Sequence, residues 1–278
     1  MSASRNLIKN MKSINMKSIK NLLILSTLAT LIIFCITLSC DIIEEPYTKD
    51  GDDGEQILDT NRPNILLEEF TGHTCVHCPN GSKIAKGLEK QYPGRVFIVA
   101  IHCGDMAKPE AGEKYNYDFR TNMGEELDNF YKVNIDGLPR GMINRMLYRN
   151  NKETMGASNW GNAIAEFWNN NKTRQLDIEL SAIYNANTKT ITGNVKLNYL
   201  VPQSKQNLLS VWILEDNIIN WQKSLDAPDG IPDYQHNDVL RYSFNGTWGE
   251  NVVGTPTSSS DFEFQKNYSL QIADKGDP

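Results

Sequence analysis

The chain has 278 residues, of which 40% are hydrophobic and 22% charged, and these values exclude a largely disordered protein. Its net charge of −6 comes without a long basic block, which argues against nucleic acid as a partner, because phosphate binding needs clustered lysine and arginine side chains. After a leader and a linker the remaining length suffices for about two domains, and five cysteines are too few for a disulfide-stapled scaffold.

The first forty residues have the pattern of an export signal. A lysine-rich start is followed by an uncharged, mostly apolar stretch, residues 22–39, which ends at Cys40. Because Thr37-Leu-Ser-Cys40 resembles the lipobox of bacterial lipoproteins, residues 1–40 are predicted to be a signal peptide and Cys40 the lipidated residue that anchors the protein to a membrane. The alternative is an uncleaved membrane anchor, since an apolar stretch of this length can just span a bilayer.

Residues 41–62 are predicted to be a flexible linker. The segment Asp50-Gly-Asp-Asp-Gly-Glu55 is acidic and glycine-rich, and it is too polar to be buried. An acidic patch soon after a lipidated cysteine also resembles the signal for surface display in lipoproteins of Bacteroidetes. The location is therefore expected to be the cell envelope, as an outer-membrane lipoprotein on either the periplasmic or the exposed side.

Residues 63–172 are predicted to form an α/β domain that begins with a strand, a helix and a second strand. Asn64–Phe70 is the first strand, the apolar positions between Ile84 and Tyr92 fall at helical spacing, and Val96–Ile101 is typical of a strand buried on both faces. Strands joined in this way are expected to be parallel. Cys75-Val-His-Cys78 lies between the first strand and the helix, and a CxxC motif in such a pattern is typical of a thioredoxin-like redox site.

The two cysteines of the CxxC motif are the candidate reacting groups. Cys75 is predicted to lie at the N-terminus of the helix, where free N–H groups and the helix dipole favour a thiolate. Cys78, one turn later, would resolve a mixed disulfide. The Cys-x-His-Cys pattern is similar to that of strongly oxidising periplasmic Dsb-type enzymes, which implies that His77 stabilises the reduced form. The alternative is an inert disulfide.

Glu69 and Pro139 complete the predicted site. In thioredoxin-like proteins, an acid six residues before the first cysteine lies under the motif and takes a proton from the second, and burial would raise its pKa. The alternative is that Glu69 faces solvent and Glu68 faces inward. Gly137-Leu-Pro139 resembles the cis-proline loop of thioredoxins, so Pro139 is expected to follow a cis peptide bond and to pack against the motif, unless it is an ordinary turn proline.

His73, His102 and Cys103 are candidate metal ligands near the motif. His102 and Cys103 end the second strand, where sites form at the edge of a parallel sheet, and imidazole and thiolate suit zinc or copper. No second tight ligand pair is present and the cis-proline of this fold normally blocks metals, so no metal and no other cofactor is predicted. Cys103 is either a third redox thiol or, as we prefer, a half-buried free cysteine.

Residues 173–278 are predicted to form an all-β, sandwich-like domain. Leu176–Tyr184 and Ile191–Tyr199 alternate between polar and apolar residues around a turn, which indicates a hairpin with one face in water, and residues 208–214, 239–244 and 262–272 add three strands. The chain stops soon after the last strand, and we expect that a closing strand is missing, which would leave an exposed edge. Four aromatic residues could form a sugar- or peptide-binding patch but are more often core: Trp212, Trp221, Tyr234 and Trp248.

Several segments together resemble one known family. Leu66–Pro79, Gly141–Arg145, His236–Arg241 and Asn245–Glu250 look like the outer membrane protein 28-related family of Bacteroidetes. The resemblance implies a lipoprotein with a thioredoxin-like domain followed by a β-rich region. The biochemical activity of that family is poorly defined, so the resemblance implies fold and location better than function.

The expected fold class is therefore an α/β thioredoxin-like domain followed by an all-β, sandwich-like domain. The leading functional hypothesis is an envelope thiol–disulfide oxidoreductase that acts on protein or peptide substrates through Cys75 and Cys78. The rival hypothesis is a surface adhesion or binding lipoprotein with the thioredoxin fold as a scaffold, because a fold does not fix a function. An oxidoreductase needs Cys75 exposed and Glu69 buried nearby, whereas a binding scaffold should expose a large apolar or aromatic patch.

Overall fold

The structure, a computed structural model, describes residues 61–203, 205–252 and 262–272. The predicted signal peptide, the lipidation residue Cys40 and the linker as far as residue 60 lie outside the described residues. The described residues all belong to one compact unit. A search of the same ranges for a long apolar helix that could cross a bilayer found none.

The first half of the described chain alternates strands and helices, and the second half is built from strands. The elements of the first half are β1 (Ile65–Thr71), α1 (Cys78–Gln91), β2 (Val96–His102), α2 (Asn122–Tyr131), α3 (Val133–Asp136), β3 (Arg140–Ile143), β4 (Met155–Gly156) and α4 (Trp160–Asn170). Those of the second half are β5 (Leu176–Asn185), β6 (Thr190–Tyr199), β7 (Leu208–Leu209), β8 (Trp212–Glu215), β9 (Ile218–Gln222), β10 (Ile231–His236), β11 (Val239–Ser243), β12 (Glu250–Asn251) and β13 (Glu263–Gln271).

The β1-α1-β2 unit follows directly from the local sequence. The two strands are parallel, as predicted, and they pair from Ile65 opposite Val96 to Thr71 opposite His102. Both strands are buried on both faces, which explains their nearly continuous apolar sequence. Pro79 lies in the first turn of α1, where a missing N–H has no helical partner to lose. The helix buries one face against the sheet, with Cys78, Gly81, Ala85 and Leu88 on it.

A single mixed sheet of six strands contains strands from both halves of the chain. Its order is β4-β3-β1-β2-β11-β8. β3 is antiparallel to β1, β11 runs parallel to β2 at Val239 opposite Ala100, and β8 is antiparallel to β11. The remaining strands form the ribbons β9–β10 and β7–β12 and the three-stranded sheet β13-β6-β5.

This arrangement shows that the expected fold class is wrong. β8 and β11 belong to the second half of the chain, yet they extend the sheet that β1 to β3 begin, so that no α/β thioredoxin-like domain is followed by a separate all-β domain. Among the described residues, the other strands of the second half are divided among sheets of two, two and three strands. The physical reason is the outer edge of β2, whose buried backbone groups need a hydrogen-bonded neighbour. The buried residues Val239–Arg241 supply that neighbour.

The three-stranded sheet contains the hairpin that the alternating pattern predicted. β5 and β6 pair along ten residues, from Leu176 opposite Tyr199 to Asn185 opposite Thr190. The apolar face of β6 is buried in a small core with β13, at Val195, Leu197 and Tyr199. β5 is an edge strand whose apolar side chains extend beyond that core and are exposed.

Candidate functional site

The CxxC motif lies in the turn between β1 and α1. Cys75 and Cys78 are joined by a disulfide. The helix begins at Cys78 with His77 as its N-cap, so Cys75 lies before the helix rather than at its N-terminus. A helix that included Cys75 as its cap would need the N–H of residue 79 to bond the Cys75 carbonyl, and Pro79 has no N–H.

The disulfide is covered, whereas the residues between the cysteines are exposed. Cys75 is 2% exposed and Cys78 1%, while Val76 and His77 face solvent. The side-chain amide of Gln222, at the end of β9, donates a 3.0 Å hydrogen bond to the carbonyl oxygen of Cys75. Residues of the second half of the chain therefore contact the motif directly, and the expectation that Cys75 is exposed is not met in this form.

The Glu69 carboxyl lies beneath the start of α1. Glu68 and Glu69 are both buried and, as neighbours in a strand, point to opposite faces of the sheet. The Ser82 hydroxyl donates a 2.9 Å hydrogen bond to Oε1 of Glu69. Burial raises the pKa of Glu69 to about 7, and the Ser82 hydrogen bond opposes that rise. A carboxyl with this pKa exchanges its proton near neutral pH.

The start of α1 packs closely against the proline loop through Gly81 and Pro139. The Leu138–Pro139 peptide bond is cis, as the sequence predicted. A Cβ on Gly81 would lie 2.9 Å from two ring carbons of Pro139 and 3.2 Å from Oε1 of Glu69. Gly81 follows Cys78 by about one helical turn, so Glu69, Pro139 and the start of α1 meet at one place. Sequence reasoning missed Gly81 and Ser82, although a glycine on the buried face of a helix is a signal of close packing.

A cavity of about 310 Å³ lies beside Glu69. It extends between α1, the parallel strands and the β9–β10 ribbon. The ion pair between Lys86 and Asp238, with 2.8 Å between Nζ and Oδ2, forms part of its wall. Burial raises the pKa of Asp238, and the Lys86 ammonium opposes that rise. The residues from the second half of the chain that line it are Gln222, Tyr234, Gln235, His236, Asn237 and Asp238.

The candidate metal ligands do not form a ligand set. His73 and His102 are buried around Phe119, with ring centroids 5.3 Å and 4.6 Å from that ring, and His236 packs there too. Burial is the main cause that lowers the pKa of each of these histidines. Cys103 is fully buried rather than half-buried, and burial raises the pKa of its thiol. Across residues 61–203, 205–252 and 262–272, no group of three or more potential ligands is placed to hold a metal ion.

The four aromatic candidates do not form one patch. Trp212, Trp221 and Tyr234 are partly buried. Tyr234 lines the cavity, and Trp221 packs against the ring of Tyr115. Trp248 is exposed and packs on the exposed ring of Phe130, with 4.8 Å between the ring centroids. Sequence reasoning could not separate these cases, because it cannot assign a neighbour to a lone aromatic residue.

Two solved structures are similar to the chain. HBP35 of Porphyromonas gingivalis is 19% identical, with a TM-score of 0.54 over 76% of this chain and 65% of that protein, and this likeness concerns the fold alone. The chain thus spans less than two thirds of the length of that neighbour. A protein of Agrobacterium tumefaciens is 9% identical, with a TM-score of 0.45 over 77% of this chain and 80% of the other. No curated protein sequence gave a significant match.

A sequence profile of one protein family matches the second part of the chain. The family is described as outer membrane protein Omp28, and the match covers residues 124–276, more than half of the 278 residues. It confirms the resemblance seen in the sequence and the expected location in the cell envelope. The chain belongs to the Omp28 family of outer membrane proteins.

Proposed function

We propose that this envelope protein is a thiol–disulfide oxidoreductase that reacts with protein or peptide thiols through Cys75 and Cys78. The observation that carries the proposal is the buried Glu69 carboxyl beneath the start of α1, with a pKa of about 7. A structural disulfide has no use for an ionisable group there, and its ionisation in a buried position is unfavourable. Perturbed acids of this kind are concentrated at sites that transfer protons.

The chemistry requires only the disulfide, the carboxyl and two substrate thiols. A substrate thiolate attacks Sγ of Cys75, a new S–S bond forms, and the Cys75–Cys78 bond breaks with its electron pair on Cys78. The Cys78 thiolate takes the proton of the Glu69 carboxyl. A second substrate thiolate then attacks the substrate sulfur of the mixed disulfide and releases Cys75 as a thiolate. The two substrate thiols leave as one disulfide, and Cys75 and Cys78 are reduced.

The reverse direction uses the same groups in the opposite order. The Cys75 thiolate attacks a substrate disulfide, and the Glu69 carboxylate accepts the proton of Cys78 as that thiol attacks the mixed disulfide. A carboxyl with a pKa near 7 is suited to both steps, because it is present in both protonation states at neutral pH. His77 is exposed at the N-cap of α1, beside the turn that holds Cys75, where an approaching substrate would meet it.

A trapping experiment tests this proposal. Without Cys78 a mixed disulfide on Cys75 cannot be resolved, so Cys78→Ala expressed in its own envelope should accumulate protein adducts that dithiothreitol releases. Cys75→Ala should not, because the Cys75 thiolate that attacks the substrate disulfide is absent. Both variants are also made with Cys103→Ser to exclude adducts on the third cysteine. Adduct-free patterns from both variants on a non-reducing gel would show that the disulfide is structural.

The proposal includes a lipid anchor at Cys40, supported by the apolar stretch and the lipobox-like segment before it. Cys40→Ser should abolish labelling of the protein with a radioactive fatty acid and leave unprocessed precursor. The matched control is Cys35→Ser, which removes a cysteine inside the apolar stretch and should keep normal labelling. Labelled Cys40→Ser protein would contradict the anchor.

A second candidate function, a binding lipoprotein with a structural disulfide, is favoured by the exposed face of β5. Ile178 and Leu180 are 62% and 68% exposed on an edge strand, and Tyr184 extends the same face. Exposed apolar side chains grouped in this way are typical of contact surfaces. If binding is the function, Leu180→Ser should weaken cell-surface adhesion and Cys75→Ala should not. If the protein is an oxidoreductase, Cys75→Ala should abolish disulfide exchange and Leu180→Ser should leave it unchanged.

A further inference from the structure

Residues 222–226, the end of β9 and the bend that follows it, are hydrogen-bonded to the turn that carries the buried disulfide. We infer that this segment occupies the groove in which an extended substrate peptide binds, and that the peptide reaches Cys75 by replacing it. The inference rests on the proposed function, and it adds the substrate class and a condition for access. It is argued from the hydrogen bonds that the segment makes to the CxxC turn.

The side chain of Gln222 makes the first of these contacts. Its amide nitrogen lies 3.0 Å from the carbonyl oxygen of Cys75 and 3.3 Å from that of Gly72. The Cys75 carbonyl accepts a 3.3 Å hydrogen bond from the Cys78 N–H. Its second acceptor position is available to Gln222 because the helical donor would be the N–H of residue 79, which Pro79 lacks. Gln222 therefore occupies a hydrogen-bonding position that Pro79, directly after the motif, leaves unused.

The backbone of the segment makes the second set of contacts. The N–H of Lys223 donates to the carbonyl oxygen of His73 at 2.8 Å, and the N–H of Leu225 donates to that of Val76 at 3.2 Å. Donors two residues apart point to the same side of an extended chain. Main-chain hydrogen bonds are also the contacts that give affinity when proteins bind extended peptides. The row of carbonyl groups on the turn is thus a docking edge for an extended peptide.

The segment is bound in a way that permits its release. The Leu225 side chain is exposed, so it adds little apolar burial. The Lys223 ammonium lies 2.7 Å from Oε1 of Glu110, and both side chains are partly exposed, which makes the ion pair weak. Each hydrogen bond between residues 222–226 and the CxxC turn shifts the equilibrium between the bound and the released segment by only about fivefold. A peptide that offers its own N–H groups to the same carbonyls compensates for the bonds that it breaks.

The first test measures access to the disulfide directly. Full-length protein is treated with tris(2-carboxyethyl)phosphine, and disulfide reduction is followed by alkylation and mass spectrometry. Leu225→Pro removes the N–H that bonds Val76, and Gln222→Ala removes the amide, so each should be reduced about fivefold faster or more. Leu225→Ala keeps the N–H and should stay within about twofold of the parent. Equal rates for Leu225→Pro, Gln222→Ala and the parent would overturn the inference.

The second test leaves residues 222–226 unchanged and measures whether a bound peptide displaces them from the CxxC turn. Cys78→Ala is joined through Cys75 to a cysteine-containing hexapeptide, and amide hydrogen exchange is compared with the same variant carrying only an S-methylthio group. The amides of Lys223 and Leu225 should lose protection in the peptide adduct alone. Retained protection there would overturn the inference. Faster reduction of Gln222→Ala and Leu225→Pro together with an absence of protein adducts in the envelope would instead overturn the proposed function and, with it, the peptide as occupant.

Discussion

Gly81 lies so close to Pro139 that a single added methyl group would come within 2.9 Å of two carbons of the proline ring. The same methyl group would lie 3.2 Å from Oε1 of Glu69. Gly81 is therefore where helix α1 touches both the cis-proline loop and the buried acid. Gly81 has no reactive side chain, but it lies about one helical turn after Cys78, so this contact helps to fix the position of Cys78.

Gly81→Ala should destabilise the protein by about 1–2 kcal/mol. The overpacking costs about 1–3 kcal/mol, and the better helix propensity of alanine offsets up to about 1 kcal/mol of it. The matched control is Gly87→Ala on the same helix, where a Cβ would meet nothing within 4 Å and alanine should stabilise. Urea denaturation of both variants checks the difference in sign, and stabilisation by Gly81→Ala would contradict the close contact.

Glu69→Gln should make the protein more stable above neutral pH. The pKa of Glu69 is raised from 4.5 to about 7 in the folded protein, so the folded state holds the proton more tightly than the unfolded state. The resulting loss of stability is absent below pH 4.5, grows as the pH rises and is complete above pH 7. Glutamine removes this loss, and the gain at pH 8 should be about 3 kcal/mol.

Two further measurements identify the group responsible. Ser82→Ala removes the hydrogen bond that lowers the pKa of Glu69, so the pH-dependent loss of stability should still begin near pH 4.5 but continue to a higher pH than in the parent. Disulfide exchange by Glu69→Gln should lose the pH dependence near 7, because the proton acceptor is gone. A parent and a Glu69→Gln variant with parallel stability curves from pH 4 to 9 would show that Glu69 is not the titrating group.

The local part of this site could be predicted from the sequence. Alternation and apolar runs are properties of neighbouring residues, and they gave β1, the helix after it and β2 to within a few residues. Thioredoxin-like proteins have a buried acid six residues before the first cysteine, and this resemblance favoured a buried Glu69 over the alternative that Glu68 faces inward. The burial of Glu69 is confirmed, and Glu68 is buried as well. The prediction that Cys75 lies at the N-terminus of α1 is wrong, because Pro79 lacks the N–H that would bond the Cys75 carbonyl and the helix begins at Cys78.

The contributions of the second half could not be predicted in this way. Gln222 reaches Cys75 across 147 residues of sequence, and no local pattern encodes such a contact. The sequence of Val239–Ser243 predicts a strand but not the strand with which it pairs. The prediction of a separate sandwich is therefore wrong for this strand, which pairs with the edge of β2. Strand pairing is a long-range property, and this is the physical reason that the expected fold class failed.

His102→Phe should stabilise the protein, and more so in acid. Both ring nitrogens of His102 are buried and have no hydrogen-bond partner among the described residues, and the ring stacks on Phe119 at 4.6 Å. Replacing such a group by an apolar ring should stabilise by about 1–2 kcal/mol at pH 7.

The pH dependence follows from the lowered pKa of His102. The unfolded state takes up a proton near pH 6.5 while the folded state stays neutral, so this histidine's stability contribution is lost as the pH falls below 6.5. The phenylalanine variant should therefore show a shallower loss of stability between pH 6.5 and 5 in urea denaturation. An equally steep loss would mean that other groups, such as His236, account for the acid sensitivity.

Arg145→Met should destabilise the protein strongly, by about 3 kcal/mol, because it leaves the Glu68 carboxylate buried without its partner. The Arg145 guanidinium makes two parallel hydrogen bonds to Glu68, Nε to Oε2 at 2.9 Å and Nη2 to Oε1 at 2.7 Å, and the Glu68 side chain is fully buried. The double variant Glu68→Leu/Arg145→Met removes both charges and should regain most of the loss. The pair lies on the face of β1 opposite Glu69, so exchange kinetics in the double variant should keep their pH dependence near 7. A double variant no more stable than Arg145→Met would show that the arginine acts through its packing against Trp212 and not through the charge of Glu68.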